Sequence, residues 1–164
     1  MRFKWLLWCV GLPMMAIAQE RATPSVKRAL TACERQQDAQ ACWVLSQRYA
    51  HGKGVQRHHY YADAYSYKAC LYETQLSVAK RYCEQAISRM QMWTNGKCME
   101  RNIYHRLCEQ GSRAYCEKMA ALARQGWRGQ KEVCGGNQES LGNGNPQPSL
   151  AVEYEKKALV APFD

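Results

Sequence analysis

The chain has 164 residues, nine of them cysteine, with 46% hydrophobic residues and a formal net charge of +9. That is the size of one modest domain, and the cysteine usage argues against a reducing compartment. The 23 Lys and Arg residues are scattered singly or in pairs, which reads as a solvated basic surface and excludes a nucleic-acid-binding tail.

The chain opens MRFKWLLWCVGLPMMAIAQ. Arg2 and Lys4 make a positive start, residues 5–17 are nearly all apolar, and Ala16-Ile17-Ala18 is a small-x-small cleavage site. Residues 1–18 are therefore expected to be a cleaved export signal, leaving Gln19 at the new N-terminus. The apolar run is shorter than the ~20 residues that span a bilayer, so no stable membrane insertion is expected after cleavage. Cys9 leaves with the signal, and the mature chain keeps eight cysteines and a charge of +7. An even cysteine count behind an export signal reads as four disulfides. Eight cysteines allow roughly a hundred connectivities in principle. The periplasm is the expected location, with secretion as the alternative.

Thr23-Pro24 starts a helix, with Val26, Leu30 and Cys33 at helical spacing. Asp38 caps a second helix that carries Ala39, Cys42, Leu45 and Tyr49 down one face and stops at Gly52. Gly52 and Gly54 bracket a tight turn that needs positive φ or close approach. A third helix is predicted over 58–71, with Tyr60, Ala64, Tyr67 and Leu71 as its inner stripe. Thr74 is expected to cap a fourth, whose stripe is Leu76, Ala79, Cys83, Ala86, Met90 and Trp93. Asn95-Gly96 reads as a left-handed stop. A fifth helix is predicted over 97–109 and a sixth from the Ser112 cap to Gly126. No stretch alternates with period two, so the fold class is all-α. Residues 127–148 read as a Gly/Asn-rich loop, partly tied back by Cys134. Residues 149–164 hold a short helix and tail, with a weak stripe of Leu150, Tyr154 and Leu159. The pattern leaves open whether this segment docks on the body or stays a flexible tail.

The segments ACWVLSQRYAHG, YCEQAISRMQMWTNG and YCEKMAALARQG align on a residue–Cys pair and a final glycine. The segments RALTAC, SYKAC and YHRLC align at their ends. Cys42, Cys83 and Cys116 recur at intervals of 41 and 33, and Cys33, Cys70 and Cys108 at 37 and 38. Such periods mean stacked helical hairpins in a short α/α solenoid over 19–126. The third copy ends after one helix.

Residues 41–70 resemble a Sel1-like repeat, a relative of the tetratricopeptide repeat, through Ala41, Cys42, Leu45, Tyr49, Gly52, Gly54, Val55, Ala64, Tyr67, Ala69 and Cys70. The cysteines make the chain similar to the secreted cysteine-rich Sel1-like family first described in Helicobacter. That resemblance implies a bridge from the cysteine ending one repeat to the cysteine opening the next. It yields Cys33–Cys42, Cys70–Cys83 and Cys108–Cys116, and Cys98–Cys134 then follows by elimination. A hairpin junction also brings such cysteines within bridging distance.

His51, His58 and His59 surround the glycine turn, but no carboxylate stands at ligand spacing, so no metal is expected. No nucleophile motif or carboxylate pair is recognisable, so no catalytic residue and no cofactor is assigned. Among the tyrosines of the third helix, Tyr60 and Tyr67 read as core. Tyr61, Tyr65 and Tyr72, with His58 and His59, read as a contact surface, because tyrosine is favoured at interfaces. The expected function is that of a non-enzymatic adaptor or scaffold binding a protein or peptide of the bacterial envelope. The resemblance also implies, without a residue constellation behind it, a penicillin or peptidoglycan-fragment binder or weak β-lactamase-like enzyme. A secreted effector acting on a host is the remaining alternative.

Overall fold

The structure, a computed structural model, describes residues 23–93, 96–126 and 146–162. The expected export signal and Cys134 lie outside the described residues. Seven helices follow one another: α1 Pro24–Gln36, α2 Ala39–His51, α3 His59–Tyr72, α4 Leu76–Met90, α5 Gly96–Glu109, α6 Arg113–Gln125 and α7 Pro148–Val160. No strand occurs among the described residues. Each helix packs on the next along the chain, and α5 also touches α3 and α7.

Local chemistry sets most helix ends. Pro24 fills the first turn of α1, where its missing N–H costs nothing. Thr23 holds the cap position, but its hydroxyl pairs with Ser25 Oγ at 3.1 Å instead of a backbone N–H. Asp38 Oδ1 accepts from the Ala41 N–H at 2.9 Å and starts α2. Gly52 and Gly54 take positive φ, 71° and 75°. Gly54 also backs onto the start of α1: a Cβ there would meet Thr23 Oγ1 at 3.0 Å. The fourth helix is not capped by Thr74. Gln75 holds the cap position without a side-chain cap bond, and the Glu73 carboxylate accepts from the N–H groups of Thr74 and Gln75, at 2.9 Å each, in the turn that leads into the helix. Gly96 is not a left-handed stop either. It opens α5 where the chain passes so close to Met90 that a Cβ would lie 2.1 Å from the Met90 carbonyl oxygen.

The helices form two rows, as in a repeat solenoid. In one row, Trp43 of α2 stacks on Tyr82 of α4, ring centroids 4.5 Å apart, and Tyr115 of α6 reaches Glu84 of α4. In the other, Lys68 of α3 pairs with Glu34 of α1, Asn102 of α5 donates to Tyr67 of α3, and His105 of α5 meets Tyr154 of α7. The core between the rows is built from Leu45, Tyr49, Ala62, Tyr65, Tyr82, Met90, Ile103 and Leu107. It is continued by Cys116, Met119, Ala120 and Tyr154.

Three disulfides clamp the junctions: Cys33–Cys42 joins α1 to α2, Cys70–Cys83 joins α3 to α4, and Cys108–Cys116 joins α5 to α6. Their Cα separations are 4.8, 4.6 and 4.6 Å, within the range a bridge requires. Cys98 is disulfide-bonded as well; its expected partner Cys134 is outside the described residues. Three intramolecular bridges mark a chain suited to an oxidising, exported environment. No described helix is long and apolar enough to cross a membrane.

Of the two possibilities left open for the C-terminal segment, docking on the body is the one the structure has. Helix α7 docks on α6, buries Ala151, Tyr154 and Ala158, and adds the Arg124–Glu155 ion pair. These three residues repeat the spacing of Ala62, Tyr65 and Ala69, all buried on α3. The third hairpin therefore does not stop after one helix: α7 occupies the place of its second helix.

Candidate functional site

Where α1 and α3 lie side by side over α2, they leave an open groove of about 600 Å³. Helix α1 supplies Leu30, Thr31, Glu34 and Arg35 as one wall. The other wall is Tyr60, Tyr61, Ala64, Tyr65 and Lys68 of α3, and Tyr49 of α2 forms the floor. The small Ala64 side chain leaves room between the tyrosines. The volume lies within the usual range for ligand pockets.

The rings are fixed against one another. Tyr49 stacks with Tyr65 at 5.6 Å and 12° and tilts against Tyr61 at 5.2 Å. His58 lies over Tyr61 at 4.5 Å. Tyr60 stacks on Trp93 at 4.9 Å, and Trp93 is held in turn by its indole N–H on Asp63 Oδ2 at 3.1 Å. Aromatic pairs of this kind add to area burial. Across the groove, Lys68 Nζ contacts both carboxylate oxygens of Glu34, at 2.7 and 2.6 Å. Burial pushes the Tyr65 phenol above its ordinary range, and the Glu34 carboxylate adds to the effect. Burial raises Tyr49 too, with Tyr61 contributing. Both hydroxyls therefore stay protonated at any physiological pH.

The expected contact residues divide. Tyr61 is half-buried and lines the groove. Tyr65 also lines it but is only 8% exposed, so it belongs to the core and not to an outer side of α3. Tyr60, expected in the core, is 54% exposed at the groove's edge. Tyr72 packs against the core at the end of α3 and is not part of the groove. His58 and His59 are exposed at the start of α3, and of the two only His58 stacks on a groove residue. Among the described residues, no three His, Cys, Asp or Glu side chains converge as metal ligands.

The sequence pattern missed Glu34, Arg35, Lys68 and Trp93. A signal for the first three was present. Aligning Cys33 with Cys70 makes α1 and α3 equivalent second helices, so their neighbouring flanks had to face each other. No protein-family model, curated protein or solved structure matches the chain.

Proposed function

We propose that the chain is an exported Sel1-like repeat protein that holds an extended segment of a protein or peptide partner, acting as a periplasmic adaptor and not as an enzyme. The observation that supports this most is the tyrosine-lined groove between α1 and α3. Tyrosine offers broad contact area and a hydroxyl at small entropic cost. A groove whose walls are tied to the core by disulfides and stacked rings loses little further freedom on binding, which favours affinity. The Cys33–Cys42 and Cys70–Cys83 bridges anchor the C-terminal ends of the two helices that wall it. The half-buried Tyr61 and the exposed Tyr60 bring hydroxyls suited to a peptide backbone to the groove wall.

The test is site-specific photocrosslinking in the native periplasm. A benzoylphenylalanine at Tyr61 should give discrete adducts, and the same residue at Arg81, exposed on α4, should not. Equal adducts from both positions, or none from Tyr61, would remove the groove as the binding site.

A further inference from the structure

The ligand class follows from how the groove's rings and charges are already engaged. Tyr49 stacks on Tyr65, Tyr61 lies between Tyr49 and His58, and Tyr60 rests on Trp93. These contacts hold the rings in place before any ligand arrives. Tyr60 keeps the most exposed ring and is placed to cover one apolar side chain.

The charges are unequal. The groove lining carries two cations, Arg35 and Lys68, and one carboxylate, Glu34. Lys68 is satisfied by Glu34, whereas Arg35 makes no ion pair among the described residues. Two turns back along α1 from Arg35, Lys27 and Arg28 are exposed, so the approach to the groove is basic. The Glu34–Lys68 pair is a third to two-fifths exposed, and pairs of that kind contribute little net stability. An incoming carboxylate can therefore replace Glu34 on Lys68 at small cost.

We infer that the groove takes an acidic extended peptide, one carboxylate exchanging with Glu34 on Lys68 and pairing with Arg35, and a neighbouring apolar side chain lying under Tyr60. This rests on the peptide-binding reading above. Complementary charge at such a site raises association rate and selects among partners.

The test uses the mature, oxidised protein and three fluorescein-labelled decapeptide pools of equal apolar content. Alternate positions carry Glu, Gln or Lys, and binding is read by anisotropy at low and high salt. The Glu pool should bind about tenfold tighter than the Gln pool at low salt, a gap that narrows as salt rises. Arg35→Gln with Lys68→Gln should abolish that preference. Glu34→Gln, which frees Lys68, should strengthen binding of the Glu pool. Circular dichroism confirms that each variant folds. Equal binding of the Glu and Gln pools, or preference for the Lys pool, overturns the acidic inference while leaving the peptide groove standing. No binding by any pool overturns both. Heparin or oligo(dT) displacing the Glu pool at equal charge concentration overturns it in favour of a general polyanion site.

Discussion

Trp93 donates its indole N–H to Asp63 Oδ2 at 3.1 Å, and that contact helps to join the α4–α5 connection to α3. Burial raises the Asp63 carboxyl above the usual carboxylate range, while Trp93 and then Arg89 act to lower it. The same ring backs Tyr60, so the second hairpin braces the groove formed by the helices before it. Trp93→Phe keeps a ring behind Tyr60 and removes the donor. It should cost about 1.5 kcal/mol, the low end for a hydrogen bond to a charged group. Trp93→Ala also removes the stack and should cost more, by about 1 kcal/mol. Urea midpoints of the two variants separate these contributions, and equal midpoints would show that the stack adds nothing.

The bridges are placed at the junctions between helical pairs, where the chain turns, and their cysteines are buried. Replacing Cys70 and Cys83 together by Ala should lower stability by about 2–4 kcal/mol. The effect should be matched in direction by mild reduction of the unmodified protein. Peptide mapping of the oxidised chain without reduction should recover Cys33–Cys42, Cys70–Cys83 and Cys108–Cys116. A Cys42–Cys70 peptide would contradict the arrangement, because that bridge would close a hairpin on itself instead of joining neighbours.

Gln37 is the only described residue other than glycine with positive φ, at 54°. It ends α1, and the Asp38 N–H turns back to the Ala32 carbonyl at 3.2 Å. A left-handed conformation costs a side-chain-bearing residue roughly 1–2 kcal/mol. Glycine avoids most of that but loses about 0.5–1 kcal/mol through unfolded-state freedom. Gln37→Gly should therefore stabilise the protein by about 0.5–1 kcal/mol, visible as a small rise in melting temperature. A fall in melting temperature would mean that the Gln37 side chain contributes contacts of its own.

The helices and their junction cysteines were legible because a local signal recurs: a residue–Cys pair opens α2, α4 and α6, and a cysteine comes near the end of α1, α3 and α5. The inner face of α3 was not. That helix packs against α2, α4 and α5, so aromatic residues surround it and no single stripe marks its core side. The buried set Ala62, Tyr65, Ser66, Ala69 and Cys70 is mostly small residues, which a search for aromatic stripes passes over in favour of Tyr60 and Tyr67. The groove was half legible. Tyr61 stands out as an interface residue, but Glu34 and Lys68 look like ordinary solvated charges until α1 and α3 are seen to be neighbours. The last hairpin was hidden for a different reason. Its second helix lies beyond a long connection that breaks the repeat period, and Leu159 stands where α3 has Cys70.

Docking of α7 rests on Tyr154, which is 1% exposed. Tyr154→Ala should cost about 3–5 kcal/mol, the range for removing a large buried side chain. It should also uncover Met119 and Ala120 of α6, which pack in the same cluster. Tyr154→Phe keeps the ring and should cost far less. Hydrogen exchange along α6 provides the readout: faster exchange in Tyr154→Ala than in Tyr154→Phe is expected, and identical rates would separate α7 from the stability of α6.

The hydroxyl of Tyr154 meets His105 Nδ1 at 2.7 Å, with the two rings edge to face. Burial holds the His105 imidazole below its ordinary value of 6.5; Glu109 and Glu153 act to raise it, and Lys157 and Arg101 to lower it. Burial also pushes the Tyr154 phenol up to about 12, so it remains a donor throughout the working range. Because the folded-state value of His105 is depressed, the unfolded chain takes up the proton first. Its contribution to stability is complete above pH 6.5 and is lost as pH falls through the lower folded-state value. Melting temperature should therefore drop between pH 7.5 and pH 5. His105→Gln, which has no titrating ring, should flatten that slope while leaving the pH 7.5 value only modestly lower. If the variant and the parent fall in parallel, the α5–α7 contact is not the origin of the acid sensitivity, and the carboxylates of the surface ion pairs carry it instead.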